Sequence, residues 1–161
     1  MNRRHFLSRA LFAVAGAAAM RHATLVGAQA PKPERIVRPE AEWRKLLTPA
    51  QFAVLRDEGT EAPFTSPLNN EKRKGSFACA GCDLPLFDSK TKYDSGTGWP
   101  SFYDYLPGSL GTKTDFKHIY PRTEYHCARC GGHQGHVFND GPKPTGLRYC
   151  NNGVALKFIP A

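Results

Sequence analysis

Five cysteines and two histidines carry most of the chemistry open to this sequence. Four of the cysteines fall into two CxxC pairs, Cys79 with Cys82 and Cys127 with Cys130, and the fifth, Cys150, has no partner. Two such pairs offer four thiolates, the donor set that holds one structural Zn2+ in tetrahedral geometry. Gly81 allows the tight turn in which backbone amides point at the sulfurs. The 44 residues between Cys82 and Cys127 exceed the spacing of a compact zinc ribbon. A whole fold therefore brings the pairs together, and the metal staples it. Two disulfides are the other reading of the same four thiols.

Cys150 is left over, and a free cysteine is either core packing or a nucleophile. Arg148 stands two positions before it, so in a strand both side chains leave one face, and a cation beside sulfur favours the thiolate. His133 and His136 supply a group that gains and loses protons near neutral pH. Gly131, Gly132 and Gly135 argue against a helix here, so the histidines are expected on a strand or tight loop. With Asp140 the same imidazoles would also suit a second metal site, or be structural. Trp99 closes the loop Gly96-Thr97-Gly98 and offers an indole wall for an apolar group such as a methyl on sulfur; core packing is the alternative.

The elements that must position these groups are short. A first helix is predicted from residue 40 to 47, with Trp43, Leu46 and Leu47 on one face. Thr48 caps a second: Pro49 takes its first position, Gln51 completes a capping box, Phe52 and Leu55 form its apolar stripe, and Gly59 stops it. Both helices are expected to cover a sheet. Residues 60–75 are polar and turn-rich, short strands surround the first CxxC, and residues 108–120 alternate enough for strands with a turn.

The amino terminus reads as three segments. Residues 1–30 form an export signal, with Arg3 and Arg4 as a twin-arginine-like pair before an 11-residue apolar run too short to span a bilayer. Cleavage after Ala28 or Ala30 fits small-residue patterns. Residues 31–39, with three prolines, are an extended linker, and 40–161 are one domain. Export after folding suits a chain of metal-type thiols bound for an oxidising, periplasmic compartment.

The formal net charge of +8 falls to +4 once the leader, with four arginines and no acid, is set aside, leaving 18 basic against 14 acidic residues. That balance argues against a nucleic-acid binder.

The stretches CAGC, SGTGWPSFY and CARCGGHQGHVFNDGPKPTGLRYCNNG, with the helices before them, resemble the B-type methionine sulfoxide reductases, which act on the R epimer. The resemblance covers roughly residues 40–160. It implies a mainly β fold of two antiparallel sheets with N-terminal helices, and one structural zinc on Cys79, Cys82, Cys127 and Cys130. It also implies a nucleophile at Cys150, a sulfoxide site shaped by His133, His136, Asp140, Arg148 and Asn152, and a substrate pocket at Trp99 and Phe138. Asp140 would orient the histidines or a water. The substrate would be free methionine sulfoxide or an oxidised protein, and the product a Cys150 sulfenic acid regenerated by a thioredoxin-like protein or another thiol. The chain is expected to be a monomer without stable membrane insertion.

Two positions depart from many relatives. Gln134 replaces a leucine, which is expected to matter little. Thr97 stands where relatives carry the cysteine that resolves the sulfenic acid, so recycling requires an external thiol. The rival readings are a non-enzymatic zinc module and a hydrolase with a metal on His133, His136 and Asp140.

Overall fold

The computed structural model describes residues 31–117 and 119–161; the expected signal at 1–30 lies outside them. Residues 31–39 are without regular structure, yet the Ile36 amide donates to the Arg129 carbonyl at 2.8 Å and its side chain packs on the core. The linker is extended and docked.

Helix α1 spans Glu40–Leu46, with Glu40 and Glu42 in its first turn and Arg44 and Lys45 in its last, a distribution that complements the helix dipole. Trp43 is buried, but Leu46 is 58% exposed. The chain leaves the helix at Leu47 (φ −106°, ψ 145°), and this extended residue reaches the core in Leu46's place. Helix α2 spans Pro49–Leu55 and begins with the capping box: the Gln51 amide donates to Thr48 Oγ1 at 3.2 Å, and the Thr48 amide donates to Gln51 Oε1 at 3.1 Å. It ends earlier than the predicted Gly59 stop. Arg56 is its C-cap, and the Gly59 amide donates to the Ala53 carbonyl so closely that a Cβ there would meet that oxygen at 2.8 Å. Gly59 packs on the helix end instead of making it. Among the described residues no helix is long and apolar enough to cross a membrane.

Among the described residues nine strands make two antiparallel sheets: β1 Gly75–Cys79, β2 Pro85–Asp88, β3 Lys92–Tyr93, β4 Ser101–Phe102, β5 Leu110–Asp115, β6 Arg122–Cys127, β7 His133–Phe138, β8 Arg148–Asn151 and β9 Leu156–Pro160. The small sheet runs β2-β1-β9 and the large one β3-β4-β8-β7-β6-β5. This is the expected mainly β architecture. Phe77 and Phe87 from the small sheet meet Phe102, Tyr125 and Tyr149 from the large one, with Phe87 stacked on Phe102 at 4.1 Å and Phe77 edge-on to Phe102 at 5.0 Å. Burying each such ring stabilises by about 1.5–3 kcal/mol, so this aromatic contact is what holds the sheets together.

Because strand side chains alternate, that core fixes what the opposite face shows. In β8, Tyr149 and Asn151 point into the interior, so Arg148 and Cys150 leave together on the other face. Register extends the row: Lys113 lies opposite Glu124, Glu124 opposite His136, His136 opposite Cys150, Cys150 opposite Ser101 and Ser101 opposite Tyr93. One line of side chains crosses all six strands, and Cys150 is in it.

Candidate active site

His133 and His136 are three apart, an odd interval that would send them to opposite faces of a regular strand. The β6–β7 register corrects this: Tyr125 pairs with Gly135 but His126 pairs with His133, so Gln134 is an extra residue in a bulge. The two imidazoles come within 5.4 Å of each other. Gly135 is required where β7 meets β8, since a Cβ there would fall 1.9 Å from the Cys150 carbonyl oxygen.

A cleft of about 120 Å3 opens over Cys150 and is lined by His136, Trp99, Phe138 and Asn152 among the expected residues, with Thr60 and Arg122 in addition. It is far below the roughly 300–1,000 Å3 of a site for a drug-sized ligand and takes the tip of a single side chain. A larger cleft of about 510 Å3, between Gln51, Glu61, Ser66 and Val154, holds neither thiol nor imidazole. The Cys150 thiol and the His136 imidazole line the smaller one.

The indole of Trp99 is held in place by its Nε1, which donates to the Glu61 carbonyl at 3.1 Å. The Glu61 carboxylate in turn accepts from the amides of Gly153 and Val154, and the Glu61 amide donates to Asn152 Oδ1 at 3.0 Å. A single residue from the polar segment 60–75 thus ties one cleft wall to the turn after β8. Gly98 (φ 91°) brings the Trp99 loop against Phe64, whose amide donates to the Gly98 carbonyl at 2.7 Å.

Cys150 is half-buried, and burial pushes its thiol up, against the Arg148 charge and the Thr97 and Arg148 hydrogen bonds that favour the thiolate. Arg148 is engaged elsewhere as well. It makes a two-pronged pair with Asp140, Nε to Oδ1 and Nη2 to Oδ2 both at 2.8 Å, and its guanidinium lies 4.3 Å over the Phe138 ring. The Asp140 carboxylate, held low by Arg148, therefore orients the arginine, and of the expected partners, the histidines or a water, it does not meet the histidines. The carboxylate on His136 is Asp115, 2.7 Å from Nε2. The Lys117 amide and Arg122 keep Asp115 well below the usual carboxylate range, so it accepts the proton on Nε2. Burial pulls His136 below an ordinary imidazole despite that bond. His133 is buried behind the cleft, 3.1 Å from the equally buried Glu124 carboxylate but outside hydrogen-bonding geometry.

Sequence reasoning missed Asp115, Arg122, Glu61 and Glu124. Asp115 comes from β5, Arg122 and Glu124 from β6, and Glu61 from the segment before β1, so no local spacing marks them. Thr97 was noted only for what it replaces, although its hydroxyl favours the Cys150 thiolate and is linked through Ser95 to Ser101, each hydroxyl step 2.8 Å.

The other four sulfurs converge elsewhere, all within 4.8 Å of one another. Cys79 lies 3.6 Å from Cys130 and Cys82 lies 3.5 Å from Cys127, far beyond the roughly 2.05 Å of a disulfide. Zn–S bonds of about 2.3 Å in a tetrahedron place sulfurs about 3.8 Å apart, so the spacing fits zinc. Each pair sits at a tight turn, closed by the Asp83 amide donating to the Cys79 carbonyl at 2.9 Å and the Gly131 amide to the Cys127 carbonyl at 2.8 Å. Arg56 of the α2 cap donates twice to the Cys130 carbonyl, at 3.2 Å, which anchors the helix to the second knuckle.

Residues 47–160 match the SelR domain. The peptide methionine sulfoxide reductase MsrB of Agrobacterium fabrum is 52% identical over 127 residues, covering 78% of this chain and 94% of its own length. That of Pseudomonas putida is 55% identical over 128 residues, 79% of this chain and 96% of its own. The chloroplastic peptide methionine sulfoxide reductase B1 of Arabidopsis thaliana is 54% identical over 119 residues, 73% of this chain and 59% of its own.

Proposed function

The chain belongs to the SelR-domain family and is a methionine sulfoxide reductase, and we propose that it acts on the R epimer through Cys150, leaving a sulfenic acid. The observation that carries this reading is the cross-strand pair of Cys150 and His136 in one small cleft, with Asp115 on the imidazole and Trp99 as the wall.

With Asp115 ionised and accepting from Nε2, the neutral His136 ring has Nδ1 free as a base. It takes the Cys150 proton as the sulfur attacks the sulfinyl sulfur and delivers that proton to the sulfinyl oxygen; the hydroxyl then passes to the Cys150 sulfur as the transient S–S bond breaks, its electron pair leaving on the thioether sulfur. Trp99 and Phe138 receive the methyl end of the substrate. Arg148, fixed by Asp140, offsets part of the cost of ionising a buried thiol. The balance is one oxygen passed from substrate to Cys150: the sulfoxide is reduced to a thioether and the thiol is oxidised by two electrons to a sulfenic acid.

Recycling falls to a thioredoxin-like protein or another external thiol. Thr97 cannot form a disulfide, and the remaining four sulfurs are gathered on each other as one structural zinc site. His133 is a positioning group behind His136. The substrates include both free and protein-bound methionine sulfoxide. The leader supports twin-arginine export to the periplasm: Arg3→Lys with Arg4→Lys should hold the protein in the cytosol, and unimpaired export of that variant contradicts the route.

Turnover on the separate R and S epimers of a blocked methionine sulfoxide tests the proposal. Reduction of R alone is expected; equal turnover of S overturns the stereochemical reading.

A further inference from the structure

Gln134 is wholly buried, and a buried amide costs about 1–3 kcal/mol unless its groups find partners. It finds them in two directions. Its Nε2 donates to Cys79 Sγ at 3.4 Å, and its Oε1 accepts from Asn151 Nδ2 at 3.5 Å. Its main-chain carbonyl accepts from the Asn152 amide at 2.8 Å and from Asn152 Nδ2 at 3.1 Å. Asn151 is fixed further by the Tyr125 hydroxyl, which donates to its Oδ1 at 2.8 Å. Gln134 therefore touches a knuckle sulfur and both residues that follow Cys150. It is also the bulge residue that sets His133 and His136 on one side. A leucine fills similar space but can neither donate to the sulfur nor accept from Asn151.

We propose that Gln134 is a positioning residue that couples the metal centre to the nucleophile strand. Its amide N–H stabilises the Cys79 thiolate in the loaded centre, and its oxygens hold residues 151 and 152, and with them Cys150. The inference rests on reading the four thiols as a metal centre and is independent of the substrate's stereochemistry. Donors to a metal ligand commonly contribute about 10- to 100-fold in affinity.

The unmodified chain loaded with 113Cd provides the first test, because an N–H···S bond transmits scalar coupling from the metal to the amide proton. We expect a cross peak between 113Cd and the Gln134 side-chain amide. A cadmium-loaded chain without it overturns the coupling, and a chain that binds no cadmium overturns the metal centre as well. Gln134→Met keeps the length and removes both polar groups. In that variant zinc should be lost to a chelator about 10- to 100-fold faster, the sulfur-to-cobalt charge-transfer band of the cobalt form should move, and the pH midpoint of Cys150 alkylation should shift. Faster zinc loss with an unmoved Cys150 profile, or no change in any of the three, overturns the proposal. If Gln134→Met does not fold, the cadmium measurement decides alone.

Discussion

The two sulfur sites in this molecule use one residue type in opposite ways. Cys79, Cys82, Cys127 and Cys130 sit at tight turns closed by main-chain bonds to the Cys79 and Cys127 carbonyls, and the four side chains face inward together. Cys150 sits in mid-strand on the face away from the aromatic core, flanked by an imidazole on one neighbouring strand and a hydroxyl on the other. A turn that faces its side chains inward together makes a holder. A strand spends its amides on the ladder, so the sulfur's partners must be side chains, and those can move protons. On the reading proposed above, the same thiol is a fixed ligand in one place and a reagent in the other.

The largest effect should come from the holder. A structural zinc supplies an apparent ~10–16 kcal/mol in small peptides, comparable with the ~5–15 kcal/mol that keeps a whole domain folded. Cys127→Ser should lose the metal and the fold together, seen as collapse of near-UV circular dichroism; a folded, zinc-bearing variant breaks the contrast. Cys150→Ser is the complement. Zinc content and melting should be unchanged while turnover falls by about 10^4-fold or more, and retained activity contradicts the assignment of the reagent thiol.

Between these lie the proton carriers. His136→Ala should cost about 10^2–10^4-fold in turnover, the usual contribution of a positioned acid or base. The carboxylates separate the structural reading from the sequence one. Asp115→Asn should impair proton transfer, whereas Asp140→Asn should act through Arg148; if Asp140→Asn alone gives the His136→Ala phenotype, the pairing described here is wrong.

That distinction shows what a sequence can carry. The capping box at Thr48, the CxxC pairs and the shared face of Arg148 and Cys150 were legible because each is set by residues within four positions of one another. Asp115 was not, since it reaches His136 by pairing of β5, β6 and β7, and Asp140 was misassigned because nearness in sequence does not show which partner a carboxylate takes. Gln134 looked dispensable because nothing local says that a strand bulges or that a sulfur lies behind it. Register and bulges are tertiary outcomes.

The smallest effect concerns pH. Burial raises the Cys150 thiol, so its alkylation rate should climb through a midpoint above the roughly 8.5 of an ordinary cysteine. Asp140 adds to that rise, whereas Arg148 opposes it. Asp140→Asn should accordingly move the midpoint down, and Arg148→Met should move it up. Opposite shifts would mean that the pair acts on Cys150 by geometry and not by charge.

The contrast between holder and reagent is tested most directly by mixing zinc-loaded enzyme with methionine R-sulfoxide in the absence of any reductant. One methionine should form per chain, Cys150 should gain one oxygen and react with a sulfenic-acid trap, and the zinc should stay bound. A disulfide from Cys150 to Cys79, Cys82, Cys127 or Cys130, with zinc released, would contradict the account.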